Sequence, residues 1–193
     1  MKPTPACPDL RRRRLLAAAA ALPIAKAAWA QELPLTPACG PQAALTPRQT
    51  EGPYYTPNTP QRESFIEPGG KAERLVLTGR VVSPRCRPAA KALLDFWHCD
   101  ENGEYDNAGF RYRGHLFADA EGRFRLETIF PALYPGRARH IHVKVQAPGR
   151  AILTTQLYFP GDARDGLWRA DLVVAMAQRA QGRMAAFQFI VDA

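Results

Sequence analysis

His140 and His142 are separated by a single residue in the run Ala138-Arg139-His140-Ile141-His142-Val143-Lys144-Val145. On an extended strand such residues project to one face, so both imidazoles can converge on one metal ion. Neutral imidazole suits zinc, copper and iron alike, and the pair alone does not choose between them. Two tyrosines narrow the choice. Tyr134 lies just upstream in Phe130-Pro131-Ala132-Leu133-Tyr134-Pro135-Gly136, and Tyr105 closes the polar run Cys99-Asp100-Glu101-Asn102-Gly103-Glu104-Tyr105. An ionised phenol oxygen is a hard anionic donor that favours ferric over ferrous iron, so two imidazole nitrogens and two phenolate oxygens would suit Fe(III). Tyr134 can reach the histidine strand through the Pro-Gly turn, whereas Tyr105 depends on the tertiary fold to carry its loop inward.

Short extended elements are needed to place these side chains. Residues 75–82 and 92–97 flank a proline-containing turn, and both read as strands. Residues 116–118 and 124–129 flank Asp119-Ala120-Glu121-Gly122, which predicts a hairpin turn. Residues 140–145, 152–159 and 185–191 add further strands. This pattern predicts an all-β chain folded as an antiparallel β-sandwich, with a small barrel as the alternative. Between residues 165 and 184, Leu172, Val173, Val174 and Met176 suit the apolar face of a helix, and Gly182 breaks it; a short helix or irregular segment is expected before the last strand. The expected organisation is an export signal over residues 1–30, an extended proline-rich arm over 31–70 and a β-sandwich catalytic domain over 71–193.

The formal charge of +8 over 193 residues points superficially to a polyanionic partner. Residues 1–30 hold six of the positive charges (Lys2, Arg11 to Arg14, Lys26) and one negative charge (Asp9), which leaves +3 for the rest. The basic excess is therefore mostly an address, and nucleic-acid binding is not expected. The arginines feed a short apolar segment that is too brief for a membrane span, and Ala28-Trp29-Ala30 offers a cleavage site. The leader looks like a twin-arginine export signal, so the mature protein is expected in the periplasm or outside the cell without a stable membrane span. Past the leader, Cys39, Cys86 and Cys99 remain. An oxidising compartment permits one disulfide among them; a bridge between Cys86 and Cys99 across the 92–97 strand and three buried thiols are both compatible with the sequence.

Other polar residues have plainer readings. Tyr54 and Tyr55 are expected to pack or to line a pocket. His98 suits a core edge or a local hydrogen bond, and His115 a solvent-facing position near the turn. Asp95, Asp100 and Glu101 suit strand-end solvation or turn formation, and Arg111 and Arg113 a solvated loop.

Taken together, Thr50-Glu51-Gly52-Pro53-Tyr54-Tyr55, the segment Asp95-Phe96-Trp97-His98-Cys99-Asp100 running on to Tyr105, Phe130-Pro131-Ala132-Leu133-Tyr134-Pro135 and Arg139-His140-Ile141-His142 resemble the intradiol ring-cleavage dioxygenase family, including its protocatechuate 3,4-dioxygenase group. The resemblance spans roughly residues 46–162. It implies that Tyr105, Tyr134, His140 and His142 are four ligands of a non-haem Fe(III), with Tyr105 and His140 retained and Tyr134 displaced when a catechol binds. It also implies that Arg137 and Gln156 are active-site residues. Arg137 would stabilise negative charge on the substrate, and Gln156 would position substrate or oxygen-derived groups by hydrogen bonding. Without the resemblance, solvent interaction and ordinary strand packing account for these two residues.

The implied reaction is the O2-dependent opening of a catechol-type diol to a cis,cis-muconate-type diacid. Oligomerisation is compatible with these features. One departure from the family pattern is the short interval from Tyr134 to His140, where Gly136 stands in place of an aromatic residue, which implies a more open or differently shaped wall. The competing reading is an exported metal-binding β-sandwich that cleaves no ring.

Overall fold

The computed structural model describes Met1 and residues 33–40, 43–133, 136–162 and 165–193. The expected export signal and Tyr134 fall outside the described residues. Residues 33–193 form one compact unit.

Eight strands make two four-stranded sheets packed face to face. They are β1 (Arg74–Val82), β2 (Leu93–Trp97), β3 (Arg113–Phe117), β4 (Arg123–Ile129), β5 (His140–Gln146), β6 (Leu153–Tyr158), β7 (Ala175–Arg179) and β8 (Gly182–Ile190). The first sheet runs β4-β1-β8-β7 and the second β3-β2-β5-β6. Alternation fixes the two faces of the second sheet. Leu94 and Phe96 of β2, Ile141, Val143 and Val145 of β5, and Leu153 and Leu157 of β6 enter the core with Leu75, Leu77, Phe187 and Phe189 of the opposing sheet. Asp95 and Trp97, then His140, His142 and Lys144, then Gln156 and Tyr158 therefore share the other face.

Two readings are refined and one, the hairpin, is corrected. The sandwich is mixed, because β8 runs parallel to β1, from Leu75↔Arg183 to Val82↔Ile190. The chain between them forms the whole second sheet, and such a long connection imposes no antiparallel return. The turn at Asp119 does form, with the Gly122 amide donating to Asp119 O at 3.0 Å and the Arg123 amide donating to the Asp119 carboxylate at 2.7 Å. It is not a hairpin, however: β3 and β4 belong to different sheets, so the turn carries the chain across the sandwich. The ambiguous stretch contains only a single 3₁₀ turn, Ala170–Leu172, followed by the edge strand β7. Leu172 and Val174 are buried while Val173 between them is less so, a period of two that the β-branched valines favour over a helical face.

The proline-rich arm binds both sheets. Its Thr46 amide donates to Ile190 O at 2.9 Å and its Gln49 amide to Thr154 O at 2.9 Å. Gln61 bridges to His115 on β3, and Ser64 to Glu127 on β4. The disulfide joins Cys39 to Cys86, and Cys99 is a free, buried thiol. The alternative bridge between Cys86 and Cys99 is thereby excluded. Among the described residues, no helix is long and apolar enough to cross a membrane.

Candidate metal centre

Register puts the site together on the outer face of the second sheet. His142 stands opposite Trp97 on β2 and opposite Gln156 on β6, and His140 stands opposite Tyr158. Directly opposed residues share a face, so Trp97, His142 and Gln156 form a row. The Trp97 ring stacks on His142 with centroids 4.8 Å apart and planes 7° from parallel. Tyr55 of the arm also packs on Trp97, with centroids 4.9 Å apart. Gly52 crosses beside His142 with φ +72°, and a Cβ at that position would meet the imidazole Cε1 at 3.3 Å. Glycine thus allows both the left-handed turn and the close passage of the arm.

Both histidines are 3% exposed. His140 Nδ1 is 2.7 Å from Ala138 O, and since a carbonyl only accepts, Nδ1 carries the proton and Nε2 presents its lone pair. That Nε2 lies 3.1 Å from His142 Nε2 and 3.3 Å from the Tyr105 hydroxyl. Burial pushes the His140 pKa down to about 4, aided by the Arg137 charge and opposed by the Ala138 hydrogen bond. Burial likewise holds His142 well below the ordinary imidazole value, reinforced by His140 and Arg137. Both rings are neutral at pH 7, as metal ligation by imidazole requires.

The donor spacing around His140 is compatible with a shared ion. Ligands about 2.0–2.1 Å from a common metal, at angles from octahedral to tetrahedral, lie about 2.9–3.4 Å apart. The two Nε2 atoms and the Tyr105 oxygen meet that spacing around His140. Among the described residues, no group of three or more His, Cys, Asp or Glu could hold a metal.

Tyr105 reaches the sheet by a braced loop. The Asp100 carboxylate accepts from the amides of Asn102 at 2.8 Å and Glu104 at 2.9 Å, folding the turn as expected for a short acidic side chain. Its other oxygen pairs with Arg111 at 3.1 Å. Tyr54 stacks on Tyr105 with centroids 4.5 Å apart. The Arg113 guanidinium lies 5.9 Å from the Tyr105 ring centroid, and the reading of it as a solvated loop residue is overturned: it is 0% exposed. It donates to Asp106 O at 2.7 Å, to Asn107 Oδ1 at 3.3 Å and to Tyr54 O, so one guanidinium ties the arm to the Tyr105 loop. The segment leading to Tyr134 is fastened to the same turn, because the Ala132 amide donates to Asp100 O at 3.0 Å. On its far side Gly136 has φ +76°, a backbone that no aromatic residue adopts comfortably, which accounts physically for the glycine there.

Arg137 and Gln156 do meet. Arg137 Nη2 donates to Gln156 Oε1 at 2.8 Å, and Gln156 Nε2 donates to Thr50 O of the arm at 2.8 Å. Asp165, which sequence reasoning did not single out, accepts from Arg137 Nε at 2.7 Å. Burial works against its charge, yet Arg137 and the amides of Ala138 and Leu167 keep its pKa below the ordinary carboxylate value.

Two further readings are corrected. Asp95 is buried rather than solvated, and accepts from Thr59 at 2.8 Å and Tyr55 at 3.0 Å. His115 is half-buried and lies 3.2 Å from the Thr59 hydroxyl. His98 does lie in the core, between Cys99 O at 2.8 Å and Thr128 Oγ1 at 2.7 Å.

A family model described as dioxygenase matches residues 50–192. The chain belongs to the intradiol ring-cleavage dioxygenase family. Among solved structures of this family, the dioxygenase domain of a dioxygenase carbohydrate-binding protein fusion from Streptomyces sp. SirexAA-E is 47% identical, with a TM-score of 0.75, and the match covers 77% of this chain and 99% of that one. 3-Chlorocatechol 1,2-dioxygenase from Rhodococcus opacus 1CP is 28% identical with a TM-score of 0.70, covering 75% of this chain and 71% of that one. Catechol 1,2-dioxygenase from Pseudomonas sp. strain EST1001 is 30% identical over 144 residues, which are 61% of this chain and 48% of the relative. The chain spans about half the length of the curated catechol dioxygenases it matches. Intradiol dioxygenases depend in general on non-haem iron, and the N,N,O donor set around His140 is compatible with that requirement.

Proposed function

We propose that this intradiol dioxygenase opens a catechol-type diol between its two hydroxyl-bearing carbons with O2, giving a cis,cis-muconate-type diacid. The observation that carries the reading is the approach of the Tyr105 oxygen and two buried, neutral imidazole Nε2 atoms to ligand–ligand spacing. Tyr105, Tyr134, His140 and His142 would hold the metal. Ferric iron, when bound there, supplies a Lewis acid and an electron acceptor for a chelating diol. Tyr134 would accept a hydroxyl proton as the diol arrives. Arg137 faces the substrate's growing negative charge, and Gln156 and Thr50 O fix its reach. Trp97 and Gly52 hold the His142 ring in one plane.

The test combines iron analysis, visible absorption and O2 uptake with a panel of catechols. Iron-replete protein is expected to be coloured by tyrosinate-to-iron charge transfer, to change colour on binding a diol and to consume O2 as the ring opens. Tyr105→Phe and Tyr134→Phe each shift or abolish the band; unchanged spectra in both variants refute the ligand assignment. Iron uptake without O2 consumption would leave a metal-binding protein and no ring cleavage.

The same proposal includes export. The basic, then apolar leader and the Cys39–Cys86 bridge are both suited to an oxidising compartment. Protein recovered from the periplasm or medium is expected to begin at Gln31, and retention of Met1 would refute cleavage.

A further inference from the structure

Asp165 lies in the connection between β6 and the 3₁₀ turn, 28 residues after Arg137, yet its carboxylate is built onto the site's arginine. Oδ2 accepts from Arg137 Nε at 2.7 Å and from the Ala138 amide at 2.8 Å, and Oδ1 accepts from the Leu167 amide at 2.8 Å. The contacts continue around a closed ring. Arg137 Nη2 reaches Gln156 Oε1 at 2.8 Å, the Tyr158 hydroxyl lies 3.0 Å from that same oxygen and 3.0 Å from Leu167 O, and Leu167 returns to Asp165. The Asp165 side chain is 9% exposed, against 22% for Arg137, so the carboxylate is the inner member of the pair.

A guanidinium is planar, and acceptors on two of its nitrogens fix both its position and its plane. Gln156 alone leaves the arginine free to pivot about one hydrogen bond. With the second acceptor on Nε, the plane is set before a substrate arrives, and such preorganisation acts on the rate of the chemical step.

We infer that Asp165 is the positioning residue of Arg137, holding the guanidinium against Gln156 in the orientation that meets the substrate. The inference rests on the ring-cleaving function proposed above. The carboxylate touches Arg137 and the Ala138 and Leu167 amides but no iron ligand, so its removal acts first on the arginine, and iron content with the visible band reports whether His140, held by Ala138 O, is disturbed.

Asp165→Asn, which conserves shape, is compared with Arg137→Ala, the double variant and the unaltered protein, all loaded with iron. In Asp165→Asn, iron content and the visible band are expected to match the unaltered protein, kcat to fall roughly 10- to 100-fold and KM to stay within about threefold, since the lost term is orientation in the transition state. The double variant is expected to be no slower than Arg137→Ala, as follows when one residue acts through the other. Loss of iron in Asp165→Asn, an unchanged kcat, or additive losses in the double variant would each overturn the inference.

A readout without turnover separates this inference from the proposed function. In iron-free protein labelled with ¹⁵N, the Arg137 Nε–H resonance is expected to be protected from exchange and to lose protection in Asp165→Ala, which removes the acceptor. Should no catechol be cleaved, the ring-cleaving function falls, while the Asp165–Arg137 clamp stands on that lost protection. Protection retained in Asp165→Ala overturns the clamp.

Discussion

At the scale of single residues, the site owes its form to a few places where only one side chain works. His140 and His142 were legible because a strand's period of two is written directly in sequence. Gly52 was legible only as part of the Thr50-to-Tyr55 motif of the arm, and its role comes from the arm passing over the His142 ring. Gly52→Ala introduces a Cβ 3.3 Å from that ring on a backbone with φ +72°. The left-handed conformation alone costs about 1–2 kcal/mol for an L side chain, and relief requires the arm or the imidazole to move. The variant is expected to melt several degrees lower and to bind iron more weakly, with a shifted absorption band. Unchanged melting and iron titrations would show that the passage is looser than the structure gives. Arg113 and Asp165 were not legible at this scale. Each depends on a backbone group brought from a distant segment, Tyr54 O for the one and the Ala138 amide for the other, and no local spacing encodes such partners.

Elements carry the next level of information, and here periodicity served well while pairing did not. Seven strands were readable from short alternating or apolar runs. β7 was missed because five residues of alanine, methionine, glutamine and arginine carry little strand signal, and because its edge position derives from pairing with β8. The separation of β3 from β4 was likewise hidden, since a tight turn looks the same whether it joins strands of one sheet or crosses between two. His98 shows what such a crossing asks of one residue. It follows β2 in the second sheet, and its Nε2 lies 2.7 Å from Thr128 Oγ1 on β4 in the first. With Nδ1–H donating to Cys99 O, Nε2 of the neutral ring accepts from the Thr128 hydroxyl. Burial pushes the pKa from 6.5 down to about 4. The unfolded chain therefore takes up this proton before the folded one does: the stability contributed by the neutral ring is intact above pH 6.5 and is lost as pH falls towards 4, on the order of 3 kcal/mol in all. Chemical unfolding of iron-free protein between pH 7 and 4 is expected to show this decline, and His98→Asn to reduce the pH slope by up to one proton. Identical slopes would place the acid sensitivity elsewhere.

For the whole molecule, the arm decides how the site is enclosed. Composition indicated that residues 31–70 form no long regular element, and composition could not say which surface they cover. In the structure the arm crosses from the Ile190 end of β8 to β6, passes over His142 at Gly52, delivers Thr50 O to Gln156 and Tyr54 to Tyr105, and then follows β3 and β4. Its described start is pinned by Cys39–Cys86, a bridge with a sequence separation of 47 residues. Closing a loop of that length in the unfolded chain contributes about 4 kcal/mol in the chain-entropy account. The later contacts of the arm, from Thr46 onward, do not pass through the bridge. Cys39→Ser/Cys86→Ser is therefore expected to unfold at lower denaturant, with a loss of about 2–4 kcal/mol, while still binding iron and keeping the absorption band at low denaturant. Added reductant is expected to bring the unaltered protein to the same midpoint and to leave the variant where it was. A midpoint independent of the bridge would mean that the contacts from Thr46 onward hold the arm by themselves. Loss of the band at low denaturant would instead make the bridge part of what shapes the metal centre.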